Sequence, residues 1–82
     1  MSTVTILGRA NCGACIFTKR ALELARVSYE ILDVDESGPA AALAEQIAAQ
    51  LGTARLPIVM CADGTRWAGL QMHRIAQIVR TE

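Results

Sequence analysis

Cys12 and Cys15 form a Cys-x-x-Cys pair at the junction between a predicted strand and a predicted helix. The strand is a β-branched run at residues 3–7, and residues 16–26 have the apolar spacing of a helix. Unpaired backbone N–H groups and the helix dipole stabilise a thiolate at a helix N-terminus, so we expect a lowered pKa for Cys12. Cys15 lies one helical turn further on, close enough to form a disulfide with Cys12. The pair therefore indicates thiol–disulfide exchange, with Cys12 as the attacking thiol.

Composition restricts the classes of protein to which the chain can belong. Its 82 residues predict one domain over residues 1–82, and a content of 52% hydrophobic and 20% charged residues argues against disorder. The formal net charge is zero and the eight basic residues are scattered, which argues against a nucleic-acid partner. No apolar run approaches the roughly 18 residues that a membrane span needs.

Cysteine usage and the N-terminal sequence indicate a compartment. Three cysteines, an odd number, do not make the disulfide framework of a secreted domain. The N-terminus has no charged start followed by an apolar segment, so no signal peptide is predicted. We therefore expect a reducing, cytoplasmic setting.

The first half of the chain predicts a strand, a helix, a second strand and a second helix. The inner face of the first helix is expected to comprise Ala14, Thr18, Ala21, Leu22 and Ala25. Residues 28–34 form the second strand. The second helix follows, with Ser37 or Gly38 as its N-cap, Pro39 in its first turn and Gly52 at its end. Its inner face is expected to comprise Leu43, Ala44, Ile47, Ala48 and Leu51.

The second half predicts a hairpin and a last helix. Residues 57–61 form the third strand, Asp63-Gly64 supplies the turn, and residues 65–67 form a short fourth strand. The last helix, from about residue 70 to residue 80, is expected to bury Met72, Ile75, Ala76 and Val79. The order β-α-β-α-β-β-α, with a right-handed parallel crossover and an antiparallel hairpin, predicts an α/β fold. In this fold three helices cover a mixed four-stranded sheet.

This order, with a Cys-x-x-Cys after the first strand and a proline opening the third, resembles the thioredoxin-fold glutaredoxins, and most of all the NrdH-redoxins. The resemblance covers essentially the whole chain. It is carried by Cys12-Gly13-Ala14-Cys15, by Thr18-Lys19-Arg20-Ala21-Leu22, by Leu56-Pro57, and by Ala-Asp-Gly-Thr-Arg-Trp-Ala-Gly at residues 62–69. NrdH-redoxins are glutaredoxin-like proteins that behave like thioredoxins and reduce class Ib ribonucleotide reductase. The resemblance implies a thioredoxin/glutaredoxin-like fold and a dithiol–disulfide oxidoreductase that carries electrons to protein disulfides.

The resemblance also implies partners. A flavin-dependent thioredoxin reductase would supply electrons from NADPH, and class Ib ribonucleotide reductase would receive them. The chain itself is expected to be a monomer without a bound cofactor or metal. Pro57 is implied as a site residue, with a cis Leu56–Pro57 bond that faces the cysteines and leaves the backbone of residue 56 free to pair with a docked substrate. Partner contacts are expected at Arg9, Phe17, Leu56, Trp67, Gly69 and Leu70.

Three of these residues have more than one interpretation. Arg9 is either a solvated loop charge, or a charge that lowers the thiol pKa or meets an acidic partner. Phe17 lies off the apolar stripe of its helix, which favours partner contact over core packing. The first interpretation of Trp67 is an aromatic residue that is fully or half buried in the core. The antiparallel geometry also places it at the end of the sheet that carries Cys12, where it could border the site.

The chain departs from the family pattern directly after Trp67. Ala68 stands where the family has serine, and Leu70-Gln71-Met72-His73 replaces Phe-Arg-Pro and an acidic residue, so the hydrogen-bond network of that motif cannot be carried over. Glutathione-using glutaredoxins have a Gly-Gly pair followed by an aspartate, whereas here no acidic residue follows Gly69 until Glu82. This disfavours glutathione, and a glutathione-dependent glutaredoxin is the alternative within the same class.

Two further alternatives lie outside redox chemistry. The domain could be a non-catalytic binding module whose cysteines are idle or hold a metal. A zinc site would need Cys12, Cys15, Cys61 and His73 to converge, but four residues of strand place Cys61 about 13 Å from Pro57. Cys61 is therefore interpreted as a buried apolar residue rather than a third redox group, and His73 as an exposed helical residue rather than a base.

Overall fold

The computed structural model describes residues 4–81, and the side chains of residues 4–78. Within this range the elements are β1 (Val4–Gly8), α1 (Gly13–Leu24), β2 (Tyr29–Asp33), α2 (Gly38–Leu51), β3 (Ile58–Cys61), β4 (Arg66–Ala68) and α3 (Met72–Thr81). The predicted order β-α-β-α-β-β-α is confirmed. The largest difference in boundary concerns α1, which begins directly after Cys12 instead of at residue 16. The expected start of the first strand at Thr3 lies outside the described residues.

The sheet is mixed, with the strand order β2-β1-β3-β4. β1 pairs in parallel with β2, as expected for a β-α-β crossover, and β3 pairs antiparallel with β1 and with β4. In this register Leu7 lies opposite Ile58, which in turn lies opposite Ala68. The end of β1, the start of β3 and the end of β4 therefore meet at one end of the sheet, where β1 leads into the loop that carries Cys12.

Alternation of side chains along the strands divides the core into two layers. Val4 and Ile6 of β1 face the side covered by α1 and α3, and Leu7 faces the side covered by α2. On the first side the buried cluster comprises Val4, Ile6, Leu22, Val27, Val59, Trp67 and Ile75. On the second side it comprises Leu7, Ala40, Ala44, Ile47, Ile58 and Ala68. The inner face expected for α2 agrees with the second cluster. Of the face expected for α1, Leu22, Ala21 and Ala25 belong to or pack against the first cluster, Thr18 is buried outside both clusters, and Ala14 is only half-buried.

The ends of α2 follow from its flanking residues. Ser37 is the N-cap, and its hydroxyl oxygen accepts a hydrogen bond of 3.2 Å from the backbone N–H of Ala40. Pro39 occupies the first turn, where its missing N–H costs nothing. Gly52 ends the helix in the left-handed region, with φ at 73°, a conformation that glycine adopts without strain.

The expected inner face of α3 is wrong in part. Ile75 is buried, but Met72 and Ala76 are exposed, and the side chain of Val79 lies outside the described residues. The second apolar residue that packs on the core is Ile78. The apolar residues of this helix allow two overlapping stripes, and its packing against α1 selects the one through Ile75 and Ile78.

Candidate functional site

Cys12 is the N-cap residue of α1. Its backbone is extended, with φ at −106° and ψ at 108°, and its Sγ accepts a hydrogen bond of 3.2 Å from the backbone N–H of Cys15. The sulfur thus occupies the place that a serine or aspartate oxygen takes at most helix N-termini. A thiolate at this position is stabilised by that donor and by the positive end of the helix dipole.

Cys12 and Cys15 are joined in a disulfide, with their Cα atoms 5.2 Å apart. The two residues differ in accessibility, because Cys15 is only 8% exposed whereas Cys12 is half-buried. An incoming disulfide can therefore reach Cys12 more easily than Cys15. The geometry supports the predicted order of attack, with Cys12 first and Cys15 second.

Gly8 is a site residue that the sequence reasoning missed. It ends β1, and a Cβ atom placed on it would lie 2.8 Å from the Sγ of Cys15 and 3.3 Å from its Cβ. A side chain at this position would therefore require the strand or Cys15 to shift. A glycine at the last position of the strand that precedes a Cys-x-x-Cys loop is the signal that could have found it.

The loop from Gly8 to Cys12 turns through Asn11, which the sequence reasoning also left without a role. Asn11 has a φ of 62°, in the left-handed region. Asparagine adopts this region several times more often than most residues with a side chain. The turn at Asn11 directly precedes Cys12, whose backbone returns to the extended region at the N-cap.

The Leu56–Pro57 peptide bond is cis, as the resemblance implied. Pro57 is buried and directly precedes Ile58, which pairs with Leu7 at the end of β1. It therefore lies at the end of the sheet that carries Cys12. Leu56 beside it is half-buried and packs against the cluster under α2. A catalytic role for Pro57 stays a prediction.

Gly69 joins the end of β4 to the proline segment. Its backbone N–H donates a hydrogen bond of 2.8 Å to the carbonyl oxygen of Pro57, and its φ is 81°. A side chain would be strained at this φ. Gly69 therefore lies beside Pro57 in a structural role, and the predicted partner contact at Gly69 stays a prediction.

Residues 68–74 form a local hydrogen-bond network in the segment where the sequence departs from the family motif. The side-chain Nε2 of Gln71 donates to the carbonyl oxygen of Ala68 at 2.9 Å, and the Nε of Arg74 donates to the Oε1 of Gln71 at 3.2 Å. The guanidinium of Arg74 lies 5.9 Å from the centre of the Trp67 ring. These contacts tie the start of α3 to the end of β4.

Phe17 and Leu70 are both exposed, with 64% and 41% of their surface accessible. Each is a large apolar side chain open to solvent, and a partner contact at either residue stays a prediction. Arg9 forms an ion pair with Asp35, with 3.2 Å between Nη2 and Oδ1. Neither interpretation of Arg9 from the sequence included this pair, whose side chains are about half exposed and whose contribution to stability is about 0–1 kcal/mol.

Trp67 is a core residue, and the structure does not bring it to the cysteines. Only 2% of its surface is exposed, and it packs with Val59 and Ile75 on the side of α1 and α3. It borders a cavity of about 230 Å³ whose lining also includes Val4 and Cys61. Because Val4 begins β1 and lies opposite Cys61, this cavity is at the far end of the sheet. The first interpretation of Trp67, as a core aromatic, is confirmed, and its low exposure leaves little surface for the predicted partner contact.

Cys61 also lies at that far end. It is half-buried beside the first core cluster, and its pKa is raised, first by the burial of the thiol and then by the negative charge of Asp63. The pKa of Asp63 is lowered, because Thr65 donates hydrogen bonds to its carboxylate, one of them from the backbone N–H at 2.9 Å. Cys61 is therefore held as a neutral thiol, in a position remote from the redox pair.

The residues of the hypothetical zinc site are not assembled. Cys61 ends β3, whereas Cys12 and Cys15 lie near its start, and His73 is exposed on α3. Throughout the described part of the chain, no group of three or more histidine, cysteine, aspartate or glutamate side chains is placed to hold a metal ion. The helices described within residues 4–81 are all too short or too polar to cross a membrane.

Comparison with known proteins agrees with this site. The family model for glutaredoxins matches residues 4–67. The glutaredoxin-like protein NrdH of Salmonella typhimurium is 36% identical over 76 residues, which cover 93% of this chain and 88% of that protein. The structure of NrdH-redoxin from Escherichia coli, a glutaredoxin-like protein with a thioredoxin-like activity profile, matches with a TM-score of 0.78. It is 34% identical, over 93% of both chains.

A more distant match extends the likeness in fold. Glutaredoxin from Archaeoglobus fulgidus is 21% identical and matches with a TM-score of 0.76, over 98% of this chain and 88% of that one. This similarity shows the thioredoxin/glutaredoxin fold alone. With the redox pair at the N-terminus of α1 and with the family match over most of its length, the chain belongs to the glutaredoxin family and is a redox protein of the NrdH type.

Proposed function

We propose that this protein reduces disulfides in other proteins with the Cys12–Cys15 pair and is itself reduced again by a thioredoxin reductase. The observation that carries the proposal is the unequal placement of the two sulfurs. Cys12 is accessible and hydrogen-bonded as the N-cap of α1, whereas Cys15 is 8% exposed behind it. This arrangement suits one thiol for attack and the other for the step that releases the product.

Two exchange steps describe the reaction. The Cys12 thiolate attacks one sulfur of the partner's disulfide, a Cys12–partner bond forms, and the other partner sulfur leaves as a thiolate. Cys15 then loses its proton and attacks the sulfur of Cys12. The Cys12–Cys15 bond forms, the second partner sulfur leaves as a thiolate, and both partner thiolates take up protons. The partner has gained two electrons, and the protein has lost them.

The surface around residues 68–73 supports a protein as the electron donor rather than glutathione. No acidic residue follows Gly69 in this segment, so the ammonium group of glutathione lacks the carboxylate that binds it in glutathione-using glutaredoxins. A charge-assisted hydrogen bond is worth about 1.5–3 kcal/mol, or roughly ten- to a hundredfold in affinity. Phe17 and Leu70 instead offer exposed apolar surface to a larger partner.

The rest of the proposed electron pathway is based on the similarity of this chain to the NrdH-redoxins. Electrons would pass from NADPH through a flavin-dependent thioredoxin reductase to this protein, and from it to class Ib ribonucleotide reductase. The chain would act as a cytoplasmic monomer without a bound cofactor. Its formal net charge of zero suits docking through apolar contacts rather than long-range attraction between charges.

A coupled assay with insulin as the disulfide substrate tests the proposal. NADPH oxidation is followed once with thioredoxin reductase and once with glutathione plus glutathione reductase, with Cys12→Ser as the inactive control. We expect turnover with thioredoxin reductase that clearly exceeds turnover with glutathione. Equal or faster turnover with glutathione would assign the protein to the glutathione-dependent glutaredoxins. Absence of turnover in both systems would favour a non-catalytic binding module.

A reconstituted assay with class Ib ribonucleotide reductase tests the downstream step. With NADPH and thioredoxin reductase present, we expect deoxyribonucleotide formation to depend on added protein and to be lost in Cys12→Ser. Formation that does not respond to the protein would remove this partner from the proposal and leave general disulfide reduction in place.

A further inference from the structure

The close approach of Gly8 to Cys15 has a chemical consequence. A Cβ on residue 8 would lie 2.8 Å from the Sγ of Cys15, below the 3.0 Å that real Cβ contacts keep. The atom it meets belongs to a cysteine, whose short side chain has a single rotatable bond before the sulfur. The space at Gly8 is therefore the space that the Cys15 sulfur uses.

In the disulfide form, neither side of this contact is free to move. Gly8 pairs with Asp33 of β2, and its carbonyl oxygen accepts a hydrogen bond of 2.9 Å from the backbone N–H of Val34. Cys15 is almost completely buried in the first turn of α1, and its own N–H donates to the Sγ of Cys12. In that form, a side chain at residue 8 would have to displace either the sheet or the helix turn that carries both cysteines.

The contact also depends on the redox state. In the disulfide, the bond to Cys12 fixes the rotamer of Cys15, so its sulfur cannot turn away from residue 8. In the dithiol, that sulfur is free to change to another staggered rotamer. A Cβ at residue 8 would therefore raise the free energy of the disulfide form more than that of the dithiol form.

We propose that Gly8 is a positioning residue of the redox pair, because its missing side chain lets the Cys15 sulfur reach Cys12 in the second exchange step. The inference rests on the proposed function and concerns only how the Cys12–Cys15 bond forms in that step. Deprotonated Cys15 attacks the Sγ of Cys12, the Cys12–Cys15 bond forms, and the bond from Cys12 to the partner breaks. The electron pair of the broken bond leaves on the partner's sulfur.

The test follows the reaction of the reduced protein with dithiobis(nitrobenzoate), which releases one coloured thiol at each step. All variants carry Cys61→Ser, so that only the redox pair reacts. In Gly8→Ala we expect the first release, by Cys12, to keep its rate and the second release, by Cys15, to slow by about tenfold or more. Gly38→Ala is the matched control, because a Cβ on Gly38 meets nothing within 4 Å. Equal rates for the second release in Gly8→Ala and Gly38→Ala would overturn the proposal, as would equal slowing of both releases.

An equilibrium measurement tests the same idea without kinetics. Gly8→Ala and Gly38→Ala are equilibrated with mixtures of oxidised and reduced dithiothreitol, and the dithiol fraction is counted by alkylation and mass spectrometry. We expect Gly8→Ala to shift the equilibrium towards the dithiol by about tenfold, which corresponds to a rise of about 30 mV in its reduction potential. An unchanged equilibrium, or a shift towards the disulfide, would contradict the inference.

A double-mutant cycle keeps the proposal testable if Gly8→Ala weakens the fold. The cost of Gly8→Ala in free energy of unfolding is measured in the oxidised protein and again with Cys15→Ala, which removes the sulfur. We expect most of the cost to disappear with the sulfur, and an equal cost in both backgrounds would overturn the assignment. These measurements use neither a reductase nor a protein substrate. Failure of the thioredoxin reductase assay would therefore leave them unaffected.

Discussion

At the scale of single residues, the surroundings make three cysteines chemically different. The Sγ of Cys12 accepts a hydrogen bond at the N-terminus of α1 and is accessible to solvent. Cys15 has the same helix beside it but is almost completely buried. Cys61 lies at the far end of the sheet, where burial and Asp63 raise its pKa. Reactivity should therefore decrease from Cys12 to the other two.

Limited alkylation of the reduced protein tests this order. With a small amount of iodoacetamide at neutral pH, we expect Cys12 to be labelled first and peptide mass spectrometry to find most of the label there. Cys15→Ser should then trap a stable mixed disulfide through Cys12, and Cys61→Ser should leave turnover nearly unchanged. Faster labelling of Cys15 or Cys61 would show that the attacking thiol is assigned wrongly.

The raised pKa of Cys61 also predicts a loss of stability in alkali. A group whose pKa is higher in the folded state than in the unfolded state stabilises the fold below the unfolded pKa and loses this effect as the pH rises through the folded pKa. In the disulfide form Cys61 is the free thiol of the protein. We therefore expect the free energy of unfolding to fall above about pH 9, the ordinary range of a thiol.

Urea unfolding of the oxidised protein between pH 8 and pH 11 measures this effect. Cys61→Ser does not titrate and should lose less stability than the wild type over the same range. Tyr29, whose pKa is raised by burial and by a hydrogen bond to Glu23, contributes to both proteins alike. If the two pH profiles are parallel, the pKa of Cys61 is not raised on folding.

At the scale of the element, the end of α1 contains a strained residue. The backbone N–H of Arg26 donates to the carbonyl oxygen of Glu23, and that of Val27 donates to the carbonyl oxygen of Leu22, both at 3.0 Å. This Schellman arrangement requires a left-handed residue, and Arg26 supplies it with a φ of 60°. Such a φ costs a residue with a side chain roughly 1–2 kcal/mol, and glycine avoids this cost.

Arg26→Gly should therefore stabilise the protein. The relief of strain is offset in part by the greater freedom of glycine in the unfolded chain, about 0.5–1 kcal/mol, so we expect a net gain of about 0.5–1 kcal/mol. This corresponds to a rise of about 3–6 °C in the melting temperature. Arg26→Ala is the control, because it removes the same side chain and keeps the strain. Equal melting temperatures for the two variants would show that the left-handed φ has no measurable cost.

At the scale of the whole molecule, α1 presents two exposed apolar side chains in different places. Phe17 is 64% exposed in the half of the helix that begins at the cysteines, and Leu24 is 87% exposed at the opposite end. A large partner that docks over the disulfide would bury the first and leave the second in solvent. A comparison of substitutions at the two residues therefore distinguishes loss of a partner contact from a general effect of surface hydrophobicity.

Steady-state kinetics with thioredoxin reductase tests this difference. We expect Phe17→Ala to raise the KM for this protein by about five- to thirtyfold, the effect of losing about 1–2 kcal/mol of contact, and Leu24→Ala to leave the KM unchanged. Neither substitution removes a buried side chain, so the melting temperatures should stay close to that of the wild type. The same KM in both variants would place the docking surface elsewhere.

Much of the fold could be predicted because its signals are local in the chain. The position of Cys12 before a helix, the N-cap of α2 at Ser37 or Gly38, the end of α2 at Gly52 and the turn at Asp63-Gly64 depend on a few neighbouring residues each. The order of the elements followed from these signals. The parallel crossover followed from the preference of β-α-β units for right-handed connections. The redox pair was identified for the same reason, since it is defined by a spacing of three positions and by its place at the N-terminus of a helix.

Contacts between distant segments could be decided only by the tertiary structure. Packing against α1 selected Ile75 and Ile78 as the inner face of α3, because its sequence allowed more than one stripe. The tertiary structure also decided between the two interpretations of Trp67, because its side chain packs in the core with Val59 and Ile75. The approach of Gly8 to Cys15 depends on how closely a helix lies over a strand, a distance that no local pattern specifies. The sequence by itself thus determined which residues react, and packing between elements determined which residues surround them.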